Sequence, residues 1–293
     1  MSGTLMMSCT VTNGQLPSTE ASSIDVPWWS FGKTVMAATA LTLVCDGLVD
    51  LDQPLPEGPF TLRQLLQHQA GLADYGELPE YHAAVARHES AWSVDELLQR
   101  LDATRLRYAP GTGWRYSNVG YLYVARLIER ISGLSLEQAL QQRALLPLGI
   151  SHVRLARKRS DLPGTAASYD PNWVYHGLLI GPLPQAAIFL DRLLAGDLLP
   201  ANLLEAMQSV YHLGGPIPGR PWQSPGYGLG VMQGPTADGL LLCGHTGGGP
   251  GSVVAVYQAS RGDDSATAAV FVEGGSEGQV EKAVIEALLS ALN

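Results

Sequence analysis

"SVVAVYQASRGDDSATAAVFVEG", residues Ser252–Gly274, decides the fold class. Two runs rich in valine, alanine and aromatic residues, "SVVAVYQAS" and "ATAAVFVEG", are joined by the polar "SRGDDS" at 260–265. Such side chains suit a pleated strand, and a short glycine-bearing link closes a hairpin, so the two runs are predicted to pair antiparallel. A parallel pair would need a crossover of a dozen or more residues. "GYGLGVMQG" and "GLLLCGHTG" just upstream read as further short strands. "GQVEKAVIEALLSALN" then closes the chain as an amphipathic helix, with Val280, Ala283, Val284, Ala287, Leu288 and Ala291 on one face.

The centre of the chain reads as helical instead. Helices are predicted over 34–49, over 61–72 ("TLRQLLQHQAGL", stopped by Gly71), over 93–103 with a Ser-x-x-Glu capping box, over 118–133 and over 184–197; "SLEQALQQRALLPLG" has a second capping-type start. The simplest architecture is an α+β sandwich: an antiparallel sheet flanked by helices, built from residues 1–57 and 210–293, with a mainly helical insertion at 58–209.

Composition narrows the function. The chain has 293 residues, long enough for a substantial core, and only 15% of them are charged, below the usual quarter. A net charge of −9 disfavours nucleic acid and anionic membranes as partners. Three cysteines (Cys9, Cys45, Cys243) form no C-x-x-C and are expected as reduced core thiols. The first residues lack a basic segment followed by a long apolar one, and the longest apolar stretch, near "VMAATALTLVC", is too short to span a bilayer, so a soluble cytoplasmic protein is expected. His82 and His88 are six apart and no H-E-x-x-H is present, while "GHTGGGPG" and "GYGLG" fit no phosphate-binding loop. Neither a metal nor a nucleotide cofactor is expected, and His68 in "LLQHQAGL" reads as a structural helix-end residue.

Two serines compete as nucleophile. "GGSEG" at 274–278 has the G-x-S-x-G pattern of a strand-to-helix nucleophile elbow. That elbow belongs to a parallel sheet and takes a histidine later in the chain, but no histidine follows Ser276. Ser276 therefore reads as part of a glycine-rich turn. "VPWWSFGKTVMAATALTLV" (26–44) offers Ser30 and Lys33, three apart at a helix start, and Lys33 is one of only three lysines. Residues at that spacing share a helix face with Cβ atoms about 5–6 Å apart. A serine needs a base within hydrogen-bond reach, and a lysine can be that base if desolvation lowers its pKa from about 10.4.

Two further motifs extend the pattern: Tyr116-Ser117-Asn118 before a helix and His245-Thr246-Gly247 at a strand end. In this order, S-x-x-K, Y-S-N and H-T-G, the chain resembles the penicillin-recognising serine hydrolases, the group of class C β-lactamases, D-Ala-D-Ala carboxypeptidases and related esterases. "TLRQLLQHQAGLADYG", "LLPLGI" and "SPGYGLGVM" look like connective sequence of the same group, and the similarity runs from about Trp28 to the C-terminus. The resemblance implies a β-lactamase/transpeptidase-like fold and acyl-enzyme chemistry on small-molecule esters, amides or peptides. It implies Ser30 as nucleophile, Lys33 as base, and Tyr116 as a second proton-transfer group whose pKa would have to fall beside Lys33. It further implies Asn118 as partner of Lys33 and substrate, an oxyanion hole from the N–H groups of Ser30 and Gly248, and substrate contacts at Thr246 and Gly247.

Two departures from the family pattern stand out. His245 occupies the position where β-lactamases and transpeptidases usually carry lysine; a mostly neutral imidazole there points to an esterase, amidase or D-amino-acid peptidase branch, with Arg115 as an alternative source of charge. Only residues 1–29 precede Ser30, fewer than relatives spend on a helix and two strands, which suggests a reduced sheet edge or one completed by a partner subunit. The rival reading is a catalytically silent binding or scaffold protein of the same fold. Oligomeric state is not readable from the sequence.

Overall fold

The computed structural model describes residues 5–15 and 24–293. Its main sheet has seven strands in the order β1 (Met6–Thr12), β10 (Asp264–Glu273), β9 (Ser252–Arg261), β8 (Leu241–Gly249), β7 (Met232–Pro235), β6 (Gly226–Tyr227) and β5 (Tyr211–His212). Every pairing within it is antiparallel. The β9–β10 hairpin turns through Gly262 and Asp263, with Arg261 opposite Asp264 and Gly262 in the left-handed region (φ 62°). The hairpin expected from the opening stretch is present.

A second, three-stranded sheet was not foreseen. It runs β2 (Asp25–Pro27), β4 (Leu179–Pro182), β3 (Arg154–Leu155), with Pro27 opposite Ile180. Strands of two to four residues are too short to show alternation in a sequence. The β2 strand matters because it leads directly into the Ser30 turn.

Nine α-helices are described: α1 (Gly32–Cys45), α2 (Leu62–Leu66), α3 (Pro79–Ala86), α4 (Val94–Arg100), α5 (Asn118–Ser132), α6 (Leu136–Leu140), α7 (Leu183–Ala195), α8 (Ala201–Gln208) and α9 (Glu277–Ala291). Caps set several of their starts. Thr61 and Ser135 make full capping boxes with Gln64 and Gln138. Ser93 caps α4 through the Glu96 N–H, but the Glu96 carboxylate turns to Arg100 instead of closing the box.

The central strands are buried on both faces, which is why they read as near-continuous apolar runs. Val253, Ala255 and Tyr257 face Val280, Val284 and Leu288 of α9, while Val254 and Val256 belong to the larger core on the other side. Helix α7 lies within the span expected to form the insertion, yet it packs against β1, β9 and β10, and its buried Asp191 accepts a 2.9 Å hydrogen bond from Thr267 of β10. Helix α1 has no polar stripe; it is buried almost all round, as a central helix should be. Any side chain at its start is thereby carried into the interior. Cys243 is buried, but Cys45 is exposed at the end of α1, against the expectation of a core thiol.

Candidate active site

The Ser30 turn is clamped from two sheets. The Trp28 N–H donates to Leu179 O (2.9 Å) and its indole to Gly181 O (3.3 Å), tying the segment to β4. Trp29 then adopts φ 43°, a conformation that costs a side-chain-bearing residue about 1–3 kcal/mol and persists only where the surroundings impose it. Its indole N–H donates to Ser252 Oγ at 3.0 Å. From the main sheet, β8 presses so close that a Cβ at Gly247 would lie 2.5 Å from the Ser30 nitrogen, and one at Gly249 would lie 2.4 Å from the Trp29 ring. Glycine is required at both positions by this approach.

Three of the residues expected around Ser30, namely Lys33, Tyr116 and Asn118, converge on it. Tyr116 donates its hydroxyl to Ser30 Oγ at 2.8 Å. Lys33 Nζ lies 3.3 Å from Ser30 Oγ and donates to Asn118 Oδ1 at 2.7 Å. Lys33 is completely buried, and desolvation pulls its pKa down to about 7 against the opposing pull of Asp74. Tyr116 departs from expectation: burial pushes its pKa up, outweighing the lowering effect of the Ser30 hydrogen bond, so it is a neutral phenol and not a phenolate.

Two residues with no local signature complete the arrangement. His176 Nε2 stands 3.1 Å from Lys33 Nζ; burial drives its pKa well below the ordinary value, so the neutral ring accepts from the lysine. The Asp74 carboxylate accepts from the Asn118 N–H (2.6 Å) and from Asn118 Nδ2 (3.3 Å), which fixes the amide with its oxygen toward Lys33. Asn118 is the first residue of α5 and not its cap; Ser117 caps the helix through the Gly120 N–H. His68, just past α2, accepts from the Ser117 N–H through Nδ1 and stacks on Tyr116 with ring centroids 4.3 Å apart.

The third motif divides its labour. Beyond Gly244, β8 pairs only with β9, so its other edge is open alongside the Ser30 turn. Gly248 lines the cavities on both sides of Ser30, whereas Gly247 lines neither and supports the turn from beneath. The Thr246 hydroxyl is engaged with Glu281 (2.5 Å) and Tyr257 (2.8 Å). His245 donates from Nδ1 to the Thr246 carbonyl and accepts the Tyr227 hydroxyl at Nε2 (2.8 Å); burial pushes its pKa down to about 3. It is neutral, and these hydrogen bonds engage neither Ser30 nor Lys33. Arg115 is paired with Glu77 at the surface, where both side chains are largely exposed.

Ser30 opens onto two cavities. The larger, about 530 Å³, is walled by Trp114, Tyr116, Leu213, Ile217, Tyr227 and Met232, with Arg220 and Glu277 as its charged groups. The smaller, about 110 Å³, lies by Trp29, Tyr75, Tyr169 and His176. Ser276 is outside both. Its Oγ caps α9 by accepting from the Gln279 N–H, so "GGSEG" is the glycine-rich strand-to-helix turn. Among the described residues no cluster of three or more potential metal ligands occurs, and no helix is long and apolar enough to cross a membrane.

Comparison with known proteins gives the family and the fold. The family model described as Beta-lactamase matches residues 26–291. Penicillin-binding protein 4* of Bacillus subtilis (strain 168) is 29% identical over 161 residues, covering 53% of this chain and 34% of that protein. Lovastatin esterase of Penicillium rubens is 31% identical over 154 residues, covering 51% and 38%. The matched regions thus span little more than a third of these relatives' own length. A D-stereospecific amidohydrolase from Streptomyces sp. superposes with a TM-score of 0.79 over 99% of this chain and 95% of its own, at 24% identity, a likeness of fold.

Proposed function

The chain belongs to the beta-lactamase family, and from that premise we propose that it is a serine hydrolase which forms an acyl-enzyme on Ser30 and acts on small esters or amides. The observation that carries the reading is the environment of Lys33. As an ammonium it has three hydrogens and three acceptors: Ser30 Oγ, Asn118 Oδ1 and His176 Nε2. As an amine it keeps two hydrogens for Asn118 and His176 and turns its lone pair to Ser30. With a pKa of about 7, both forms are accessible at neutral pH.

In acylation, Lys33 takes the Ser30 hydroxyl proton while Oγ attacks the substrate carbonyl. The N–H groups of Ser30 and Gly248 receive the oxyanion. Tyr116, neutral and 2.8 Å from Oγ, gives its proton to the leaving oxygen or nitrogen, and the Lys33 ammonium restores it. Water then attacks the acyl-enzyme through the same groups in reverse. The neutral His245 favours the esterase and amidase branch over penicillin-like substrates, and the esterase relative and the D-stereospecific amidohydrolase are consistent with that choice.

A fluorophosphonate tests the nucleophile. One adduct on Ser30 by intact mass and peptide mapping is expected, with p-nitrophenyl acetate turnover reduced about 10³-fold or more in Ser30→Ala. An adduct on Ser276, or none, would overturn the reading in favour of another nucleophile or a silent scaffold.

A further inference from the structure

Resting on the serine-hydrolase reading, the larger cavity is the leaving-group side, because Tyr116, the proton donor to the departing atom, lines it and not the smaller one. Arg220 is the cation in its wall, and it would be the natural handle for a substrate carboxylate. It is already occupied. Nε donates to Glu281 Oε2 (2.9 Å) and Nη2 to Glu281 Oε1, while Nη1 forms an ion pair with Glu277 Oε2 at 2.8 Å. Glu281 is fully buried and also accepts the Thr246 hydroxyl. The cluster carries one positive and two negative charges.

Glu277 is placed to act on substrate. It is the first residue of α9, its side chain is about half exposed, and Oε1 lies 4.0 Å from where a Cβ on Gly248 would stand. A carboxylate entering the cavity would therefore meet Glu277 beside the oxyanion strand, with Arg220 already paired to two carboxylates and His245 bonded to Tyr227. We propose that the Arg220–Glu277–Glu281 cluster selects against leaving groups that carry a free carboxylate, so that the substrates are esters and amides with uncharged or amine-bearing leaving groups, and that Glu277 is the specificity-determining residue. Peptides ending in a free carboxylate are disfavoured by the same charge.

The test compares m-acetoxybenzoate with its methyl ester, which share one acyl group and differ in the leaving group's charge. Each kcat/KM is divided by the rate with hydroxide to remove intrinsic reactivity. The methyl ester should be preferred about tenfold or more at low salt, and the preference should shrink in about 0.5 M salt. Glu277→Gln, which frees one face of Arg220, should narrow the ratio about tenfold; should this variant fail to fold, the salt series on the native protein decides alone. Equal rates for the two esters, both abolished by Ser30→Ala, overturn the selection and leave the hydrolase standing. Turnover that survives Ser30→Ala, or no turnover of either ester, overturns the underlying reading and the selection with it.

Discussion

Lys33 and Arg220 are both cations taken largely out of water beside the cavity that holds Ser30, yet one is held by three uncharged acceptors and the other by two carboxylates. Burial penalises the charged form of each. For Lys33 the opposing charge is Asp74, one layer away behind Asn118, so its pKa drops to about 7. For Arg220 the paired carboxylates outweigh burial and its pKa rises. The surroundings turn one cation into a base and lock the other into a permanent charge pair.

The largest effect should come from erasing that difference. Lys33→Arg puts a cation that cannot deprotonate beside Ser30 and is expected to lower kcat about 10²- to 10⁴-fold, with the fold retained by circular dichroism. Near-native kcat would sink Lys33 as the base. Next in size is the pH profile. The amine is the active form, so kcat/KM should fall about tenfold per unit below its pKa of about 7. The same shift has a stability consequence. Between about pH 7 and the ordinary lysine value of 10.5, unfolding takes up a proton at this residue, so stability rises with pH across that window as far as Lys33 contributes.

Asp74→Asn is a smaller perturbation. Asp74 holds the Lys33 pKa up, so its loss should move the acid limb toward lower pH by about half a unit to one unit. A shift in the other direction would refute the charge argument. The smallest effect belongs to the Arg220 side. Ser276→Ala removes the cap of the helix that carries both glutamates and should cost about 1 kcal/mol in urea unfolding, with kcat/KM within about twofold. A collapse of activity would return Ser276 to contention as nucleophile.

What the sequence displayed was local order. Ser30 and Lys33 are legible because one helical turn joins them, and the β9–β10 hairpin because its link is short. His176 and Asp74 were not legible: His176 reaches Lys33 across 143 positions and Asp74 reaches Asn118 across 44, with nothing repetitive around either. Arg220 meets Glu281 across 61 positions on the same terms. Tyr116 was legible as a participant but not in its ionisation, since burial is a property of the assembled cavity. The short β2–β4–β3 sheet left no periodicity to read.

Gly247 and Gly249 look interchangeable in "HTGGG", but their neighbours give them different evolutionary latitude. At Gly247 the obstacle is the Ser30 backbone, which no second substitution can shrink; every side chain there is excluded for as long as the nucleophile stays where it is. At Gly249 the obstacle is the Trp29 ring, which a smaller residue would remove. Position 249 can therefore drift only after position 29 has changed. The pair forms an epistatic ratchet, in which the order of two substitutions decides whether a lineage keeps a working nucleophile turn.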